Sequence, residues 1–209
     1  MSSGTIRLVD GPLTRAAALE GAQHAARAYE NDPFYSYVLT NELRRPHSLV
    51  SLHQAVLGKQ NHHELCTSAR DDEGRLAGVC LWVKPGGFPL SPRTQLRQLP
   101  LTLRAFRGHQ GAMLRGLGYQ RESLASHPKT PHWYLWSITV APTHQRQGVG
   151  TALLRHGLDR VDESGLGAYL ETQNRDNLAY YERFGFVTSN IIQPAPEAPP
   201  LFSMWRPAR

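Results

Sequence analysis

The sequence of 209 residues has little cysteine, no long apolar run and no leader-like beginning. Its two cysteines, Cys66 and Cys80, cannot build a disulfide framework and lack metal-site spacing, so we expect two buried strand thiols. No stretch approaches the ~18 apolar residues of a membrane-spanning helix. Met1–Asp10 lacks the basic and apolar segments of a signal peptide. We therefore expect a cytoplasmic protein without a membrane partner.

Charged residues make up 19% of the chain and hydrophobic residues 40%, which argues against disorder and allows one sizeable core. The excess of basic residues is partly local, because six arginines and no acidic residue occur between Arg93 and Arg121. Such a segment could receive an acidic substrate, cofactor phosphates or RNA. Leucines recur beneath these arginines at helical spacing and no aromatic residues interleave at base-stacking positions, so a solvated helix face is favoured.

The predicted elements mix strands and helices without an internal repeat. The turn residues Asp71–Gly74 predict a hairpin, and no linker is long enough to divide the chain, so we predict one α/β (α+β) domain over residues 1–209. Hydrophobic periodicity and breaker residues predict strand Thr5–Val9, helices Leu13–Glu30 and Pro46–Gly58, strands Leu65–Ala69 and Arg75–Lys84, arginine-bearing helices after Gly87, strand Trp133–Val140, helix Gly148–Ser164, strand Ala168–Thr172, helix Asn177–Phe184, and strands Phe186–Ile192 and Leu201–Arg206.

The most informative segment is the loop between the strand Trp133–Val140 and the helix that follows it. The first N–H groups of a helix lack internal partners, and the helix dipole places positive charge there. Gly148 and Gly150 remove the Cβ atoms that would hold a phosphate away from the backbone, while Arg146 adds charge and the Thr151 hydroxyl adds a donor. The segment therefore predicts a pyrophosphate-binding loop.

Two common phosphate-binding motifs do not fit this loop. A P-loop carries a lysine directly after its last glycine, where this sequence has Thr151. A dinucleotide-binding fingerprint needs Gly-x-Gly-x-x-Gly, and the glycine spacing here differs. For a bare Gly-x-Gly, an ordinary tight turn would be the better interpretation.

The residues around the loop resemble those of one enzyme superfamily. The stretch Gln145-x-x-Gly148-x-Gly150 matches the coenzyme A signature Gln/Arg-x-x-Gly-x-Gly/Ala of the GNAT acyltransferases. The flanking sequences HWYLWSITV (132–140), YLET (169–172) and NLAYYERFGF (177–186) agree as well. Over residues 132–187 the pattern is similar to the puromycin N-acetyltransferase branch, whereas before Trp133 only the order of elements agrees.

The resemblance implies a mixed central sheet flanked by helices, with a V-shaped opening between Trp133–Val140 and Ala168–Thr172. It implies acetyl-CoA as co-substrate, without a metal. The chain would comprise an acceptor-side half (1–131), an acetyl-CoA-binding core (132–192) and a Pro-rich loop with a last strand (193–209). The residues that would pair with the pantetheine, wrap the pyrophosphate or hold the pantetheine arm are Ile138, Thr139, Val140, Gln145, Arg146, Gln147, Gly148, Val149, Gly150, Thr151 and Asn177.

Acetyl transfer to an amine needs a base, an oxyanion donor and an acid for the leaving thiolate. The resemblance makes Tyr181 the acid and the Val140 N–H the oxyanion donor, although a core tyrosine would show the same helical spacing. Glu171 lies on the second central strand and is expected to act either as the base through water or as the hydrogen-bond acceptor for the substrate amine. An ion pair or a solvated strand residue is the alternative for Glu171.

The acceptor side is predicted from the aromatic segment Asp32–Tyr37 and the first central strand. Phe34, Tyr35 and Trp136 are the candidate substrate-binding residues, and Asp32 could attract a cationic amine. For Phe34 and Tyr37, hydrophobic packing of the helix connection is the favoured interpretation. His62-His63-Glu64 is interpreted as an exposed loop rather than a metal site, because adjacent side chains on an extended segment face opposite ways.

These observations predict an N-acetyltransferase that moves an acetyl group from acetyl-CoA to a primary amine of a small molecule. Acetylation of a protein N-terminus or lysine is the alternative enzyme activity. A non-catalytic acyl-CoA sensor and a basic RNA-binding module are the alternatives outside catalysis. Nucleic acid is not the favoured partner, a homodimer is left open, and the sequence does not identify the amine.

Overall fold

A computed structural model describes residues 5–58 and 64–209, so His62 and His63 lie outside the described residues. Short 3-10 turns at Pro142–His144 and Arg175–Asn177 precede the last two helices. In chain order the elements are β1 (Arg7–Asp10), α1 (Arg15–Ala28), α2 (Pro33–Val38), α3 (Arg45–Leu57), β2 (Glu64–Arg70), β3 (Leu76–Val83), α4 (Pro92–Phe106), α5 (Ala112–Ser126), β4 (His132–Val140), α6 (Val149–Glu163), β5 (Gly167–Thr172), α7 (Leu178–Glu182), β6 (Val187–Ile192) and β7 (Leu201–Arg206).

The strands form one seven-stranded sheet in the order β1-β2-β3-β4-β5-β7-β6. Every neighbouring pair is antiparallel except β4 and β5, which are parallel. The predicted elements and the β2–β3 hairpin are confirmed. Helix α2 was not predicted as a helix: it begins at Pro33 because the Asp32 carboxylate accepts hydrogen bonds from the Phe34 and Tyr35 N–H groups.

The parallel strands β4 and β5 pair only along their first residues. Their register runs from His132 opposite Gly167 to Leu135 opposite Leu170, and ends there although both strands continue. On its other side β4 stays paired with β3, and a bulge there leaves Trp136 as the extra residue. A bulge bends its strand and increases the local twist, which accounts for the separation of β4 from β5. This is the predicted V-shaped opening.

Helices cover both faces of the sheet. Side chains alternate along β3, so successive residues of this strand pack against helices on opposite faces. Cys80 and Trp82 pack in one cluster with α6, whereas Val79 and Leu81 pack in another with α1 and α3. Helix α6 approaches the sheet closely at Gly157, where an added Cβ would lie 2.0 Å from the Trp82 Nε1. The beginning of α6 is thereby held near the end of β4.

The prediction that the leucines of the arginine-rich segment pack beneath the arginines is wrong for several positions. Leu96 on α4 and Leu114 on α5 are 70% and 76% exposed. Only Thr94 and Ala105 of α4 are buried. The prediction for the cysteines is confirmed, because Cys66 and Cys80 are buried free thiols. Across residues 5–58 and 64–209, no helix combines the length and apolarity that crossing a bilayer requires.

Candidate active site

The loop between β4 and α6 has a backbone conformation that suits an anion. Arg146 and Gly148 both have positive φ values, 60° and 85°. Left-handed residues between right-handed or extended ones direct successive N–H groups into one concavity. A Cβ on Gly148 would meet no atom within 4 Å, and no side chain caps α6. The N–H groups at the start of α6 are therefore open to a ligand.

Polar side chains hold this loop in shape. The Gln145 amide donates to the Val140 carbonyl at 3.4 Å, and the Gln147 amide donates to the Thr143 carbonyl at 2.9 Å. The His144 ring lies 3.3 Å from the Asp71 carboxylate of the β2–β3 turn. The side chains of Gln145 and Gln147 therefore stabilise the loop.

The register of β4 decides which backbone groups face the opening. The Ala141 N–H donates to the Ala77 carbonyl at 2.8 Å, so alternation directs the Thr139 backbone toward β3 as well. The N–H and carbonyl groups of Ile138 and Val140 point the other way, toward the side from which β5 has separated. This corrects the prediction for Thr139, whose backbone groups pair within the sheet and are not available to a pantetheine arm.

A cavity of about 310 Å³ lies at the opening between β4 and β5. Its walls are formed by the ends of both strands and by α2, α3, α5 and α7. The predicted site residues that line it are Phe34, Tyr35, Trp136, Ile138, Glu171, Asn177 and Tyr181. The structure thus brings the predicted acid, base and acceptor-side residues to one space, although they are far apart in the sequence.

Glu171 is held by hydroxyl groups from three elements. The Ser123 hydroxyl donates to its Oε2 at 2.7 Å, and the Tyr169 hydroxyl donates to its Oε1 at 2.8 Å. The Tyr134 hydroxyl lies 3.5 Å from Oε2. Burial raises the pKa of Glu171 above its usual value, and these hydrogen bonds oppose the rise. Within the described residues Glu171 forms no ion pair, so the ion-pair alternative predicted for it does not apply.

Tyr181 on α7 both packs in the core and lines the cavity. Its side chain is 9% exposed, and its ring contacts those of Tyr180 and Phe186. Burial raises the pKa of Tyr181, so the phenol stays protonated. Nearby, the Asn177 side-chain amide donates to the Thr172 hydroxyl at 3.2 Å, which fixes the amide beside the end of β5.

The acceptor side of the cavity has an aromatic wall built on α2 and α5. The Phe34 ring lies edge-on to Tyr119 at 4.8 Å and to Tyr35 at 5.0 Å. Asp32 at the start of α2 also lines the cavity, and burial raises the pKa of its carboxyl group. Packing and cavity lining are therefore compatible roles for Phe34.

Sequence reasoning missed the residues that hold Glu171. Ser123 has no motif, and its position is set by how α5 crosses the sheet. Tyr134 did carry a signal, because it precedes Trp136 by two residues and so shares its face of β4. The stacked rings of Tyr134 and Trp136 confirm that arrangement.

The comparisons with known sequences identify the family. The profile of the Acetyltransferase (GNAT) family matches residues 27–186. The [Ribosomal protein bS18]-alanine N-acetyltransferase of Escherichia coli (strain K12) is 40% identical over 60 residues, which cover 27% of this chain and 40% of that protein. The L-2,4-diaminobutyric acid acetyltransferase of Nocardia farcinica is 36% identical over 72 residues, 34% of each chain. The chain thus spans less than half the length of these curated relatives.

Solved structures agree with the fold. A Corynebacterium glutamicum protein described as histone acetyltransferase HPA2 and related acetyltransferase superposes with a TM-score of 0.68 at 26% identity, covering 97% of both chains. The ribosomal-protein-S18-alanine N-acetyltransferase of Escherichia coli gives a TM-score of 0.51 at 18% identity, over 96% of this chain and 94% of that one. This chain therefore belongs to the GNAT acetyltransferase family and is an acyltransferase, whereas the resemblance to the puromycin branch stays a prediction.

Proposed function

We propose that this acetyltransferase moves the acetyl group of acetyl-CoA to the primary amine of a small molecule, by direct attack of the amine on the thioester. The observation that carries the proposal is the cavity of about 310 Å³ that Glu171, Tyr181 and the aromatic acceptor wall share. A volume at the small end of ligand pockets suits a small amine. An extended peptide would need a longer groove.

The residues of the loop and strand suit acetyl-CoA. The open N–H groups at Gly148 and the start of α6 would bind the pyrophosphate, and the Val140 N–H would pair with the pantetheine arm. The Asn177 amide would hold that arm from the β5 side. When bound, acetyl-CoA supplies the thioester carbonyl to the opening between the strands.

The buried side chains then provide the proton transfers. Glu171 would remove a proton from the ammonium group, which frees the nitrogen lone pair for attack on the carbonyl carbon. The Ile138 N–H, which faces the opening and belongs to a residue that lines the cavity, would stabilise the oxyanion in place of the predicted Val140 N–H, because Val140 does not line the cavity. As the carbon–sulfur bond breaks, Tyr181 would donate its proton to the thiolate, and its phenolate would take up the remaining extra proton of the attacking nitrogen. The products are the neutral amide and free coenzyme A, and the proton held by Glu171 passes to solvent.

The charges around the cavity favour a cationic acceptor. Asp32 and Glu171 line it, and no lysine or arginine does so among the residues that the structure describes. A carboxylate on the acceptor would therefore find no cationic partner and would be repelled. We expect amines without a carboxylate to be preferred over α-amino acids. The identity with the ribosomal-protein enzyme covers 27% of this chain, so it supports shared chemistry rather than a shared acceptor.

A mass-spectrometric screen tests this proposal. The protein is incubated with acetyl-CoA and a panel of arylalkylamines, polyamines, puromycin, amino acids and peptides with free N-termini, and products that gain one acetyl group are identified. We expect acetylation of small cationic amines and little of amino acids or peptides. Acetylation of peptides alone would overturn the small-molecule assignment. No acetylation of any amine by a protein whose melting temperature rises with acetyl-CoA would favour a sensor.

A further inference from the structure

His53 is a buried histidine on α3 that takes no part in the mechanism above. Its side chain lines the same cavity as Glu171 and Tyr181, and the residue is 6% exposed. Its ring stacks on Tyr29, with centroids 5.2 Å apart and planes 19° apart. On another side it meets the Tyr35 ring at 5.5 Å and 61°. The imidazole is thus fixed between two aromatic side chains at the cavity wall.

The Nε2 atom of His53 has no hydrogen-bond partner in the described part of the chain. Buried polar atoms are almost always hydrogen-bonded, so an unpaired one at a cavity wall indicates a partner that comes from the cavity. Its stacked neighbour does not fill this role, because the Tyr29 hydroxyl donates to the Ile138 carbonyl at 2.6 Å. A polar group of a ligand bound in the cavity would satisfy it.

The charge of the ring limits what His53 can do. Burial lowers the pKa of His53 to about 4, so the imidazole is neutral near pH 7 and does not repel a cationic amine. A ring that binds a proton so weakly is a poor base for an ammonium group. Glu171, with its raised pKa, is the better base, which leaves hydrogen bonding as the role for His53.

We propose that His53 is an acceptor-binding residue whose Nε2 forms one hydrogen bond with a second polar group of the substrate, away from the reacting nitrogen. The inference rests on the proposed function and narrows its substrate class. The acceptor is then a primary amine whose body carries a hydroxyl, carbonyl or amide group. A bare alkylamine or arylalkylamine would leave Nε2 unpaired and would bind less well.

The test compares amines that differ by one polar group: tyramine with phenethylamine, and 1,3-diamino-2-propanol with 1,3-diaminopropane. We expect the wild-type protein to favour the polar member of at least one pair about tenfold in kcat/KM, as one hydrogen bond allows. His53→Phe keeps the ring stack and removes Nε2, so it should erase this preference mainly through KM. His53→Gln can place its amide nitrogen near the same position and should restore most of it.

The possible outcomes separate this inference from the proposed function. A wild-type protein that acetylates these amines without preference, or a His53→Phe variant that keeps the preference, overturns the role of His53 alone. A wild-type protein that acetylates no amine overturns the proposed function, and the role of His53 falls with it. The thermal shift produced by acetyl-CoA should be the same in all variants. If His53→Phe does not fold, His53→Asn, whose amide occupies the Nδ1 position, replaces it.

Discussion

Burial raises the pKa of both proposed catalytic side chains. For Tyr181 the raised pKa keeps the phenol protonated, although it does not make the phenol a stronger acid. For Glu171 the raised pKa makes the carboxylate a stronger base than one in water. Both side chains line one cavity, so a single desolvated space keeps the proton on the phenol and strengthens the base.

Replacing Tyr181 by phenylalanine removes the proposed proton donor and keeps the packed ring. We expect Tyr181→Phe to lower kcat about 100-fold, within the usual range for loss of a general acid. Its melting temperature should still rise with acetyl-CoA. Tyr180→Phe is the matched control on the same helix, and it should keep nearly the wild-type kcat. Equal kcat values for Tyr181→Phe and wild type would remove the acid role.

Glu171 predicts a pH dependence with a definite sign. The base is the carboxylate, so kcat/KM should fall as the pH falls through the raised pKa of Glu171. Ser123→Ala removes a hydrogen bond that lowers this pKa, and should move the acid limb of the profile to higher pH. Glu171→Gln should lower kcat by at least about 100-fold and abolish the limb. If Ser123→Ala does not move the acid limb, the group that titrates in that limb is not Glu171.

At the level of elements, the loop before α6 allows a test with a matched control. Gly148 and Gly74 have φ values of 85° and 78°, and an added Cβ would meet no atom within 4 Å at either position. A tryptophan at either site must adopt a left-handed backbone conformation, which costs about 1–2 kcal/mol. Only Gly148→Trp should lose the rise in melting temperature with acetyl-CoA, because its indole would occupy the phosphate position. The same loss in Gly74→Trp would attribute the effect to backbone strain.

The elements themselves were largely predictable because their signals are local. Aromatic and β-branched residues specify β4, and the run of apolar positions from Val149 specifies α6. The bulge at Trp136 could not be predicted, since it depends on pairing with the distant strand β3. The exposure of Leu96 and Leu114 was missed for the same reason: periodicity shows an apolar stripe but not what covers it.

At the level of the whole molecule, one ion pair ties α6 to the last strand. Arg206 is 2% exposed; its guanidinium donates to both Asp162 oxygens, at 2.6 and 2.8 Å, and to the Phe184 carbonyl at 2.9 Å. The hydrogen bonds from Arg206 lower the pKa of Asp162. Three segments that are distant in sequence are therefore joined through one side chain.

Removing the acid from this pair leaves a buried, unpaired arginine. We expect Asp162→Ala to lower the free energy of unfolding by about 2 kcal/mol. This loss is smaller than for a fully buried ion pair, because Asp162 is partly exposed. This corresponds to a melting temperature lower by about 4–8 °C for a chain of this size. The difference from wild type should shrink as the pH falls through the lowered pKa of Asp162, where protonation weakens the wild-type pair too.

Glu163→Ala provides the control for that measurement. Glu163 neighbours Asp162, but its contact with Arg160 at 3.3 Å joins two exposed side chains. Exposed pairs contribute little, so its melting temperature should stay close to wild type. A loss in Glu163→Ala as large as that in Asp162→Ala would show that any charge removed from this end of α6 has the same effect.

The sequence predicted the two halves of the site unequally. The acetyl-CoA side lies in one continuous stretch around Gly148, where a motif can be read directly. The acceptor side is assembled from α2, α3 and α5, and its contacts depend on how these helices cross the sheet. His53 is the clearest case, because nothing near it in the chain indicates a binding site.

The early end of pairing between β4 and β5 has a kinetic consequence. The sheet parts after Leu135 and Leu170, so beyond these residues β4 has no neighbouring strand on the side of the proposed site. A thioester arm lying along Ile138 and Val140 would supply that strand and complete the surface on which the acceptor rests. We therefore expect compulsory-order addition, with acetyl-CoA entering first and free coenzyme A leaving last, which initial-rate and product-inhibition patterns can establish.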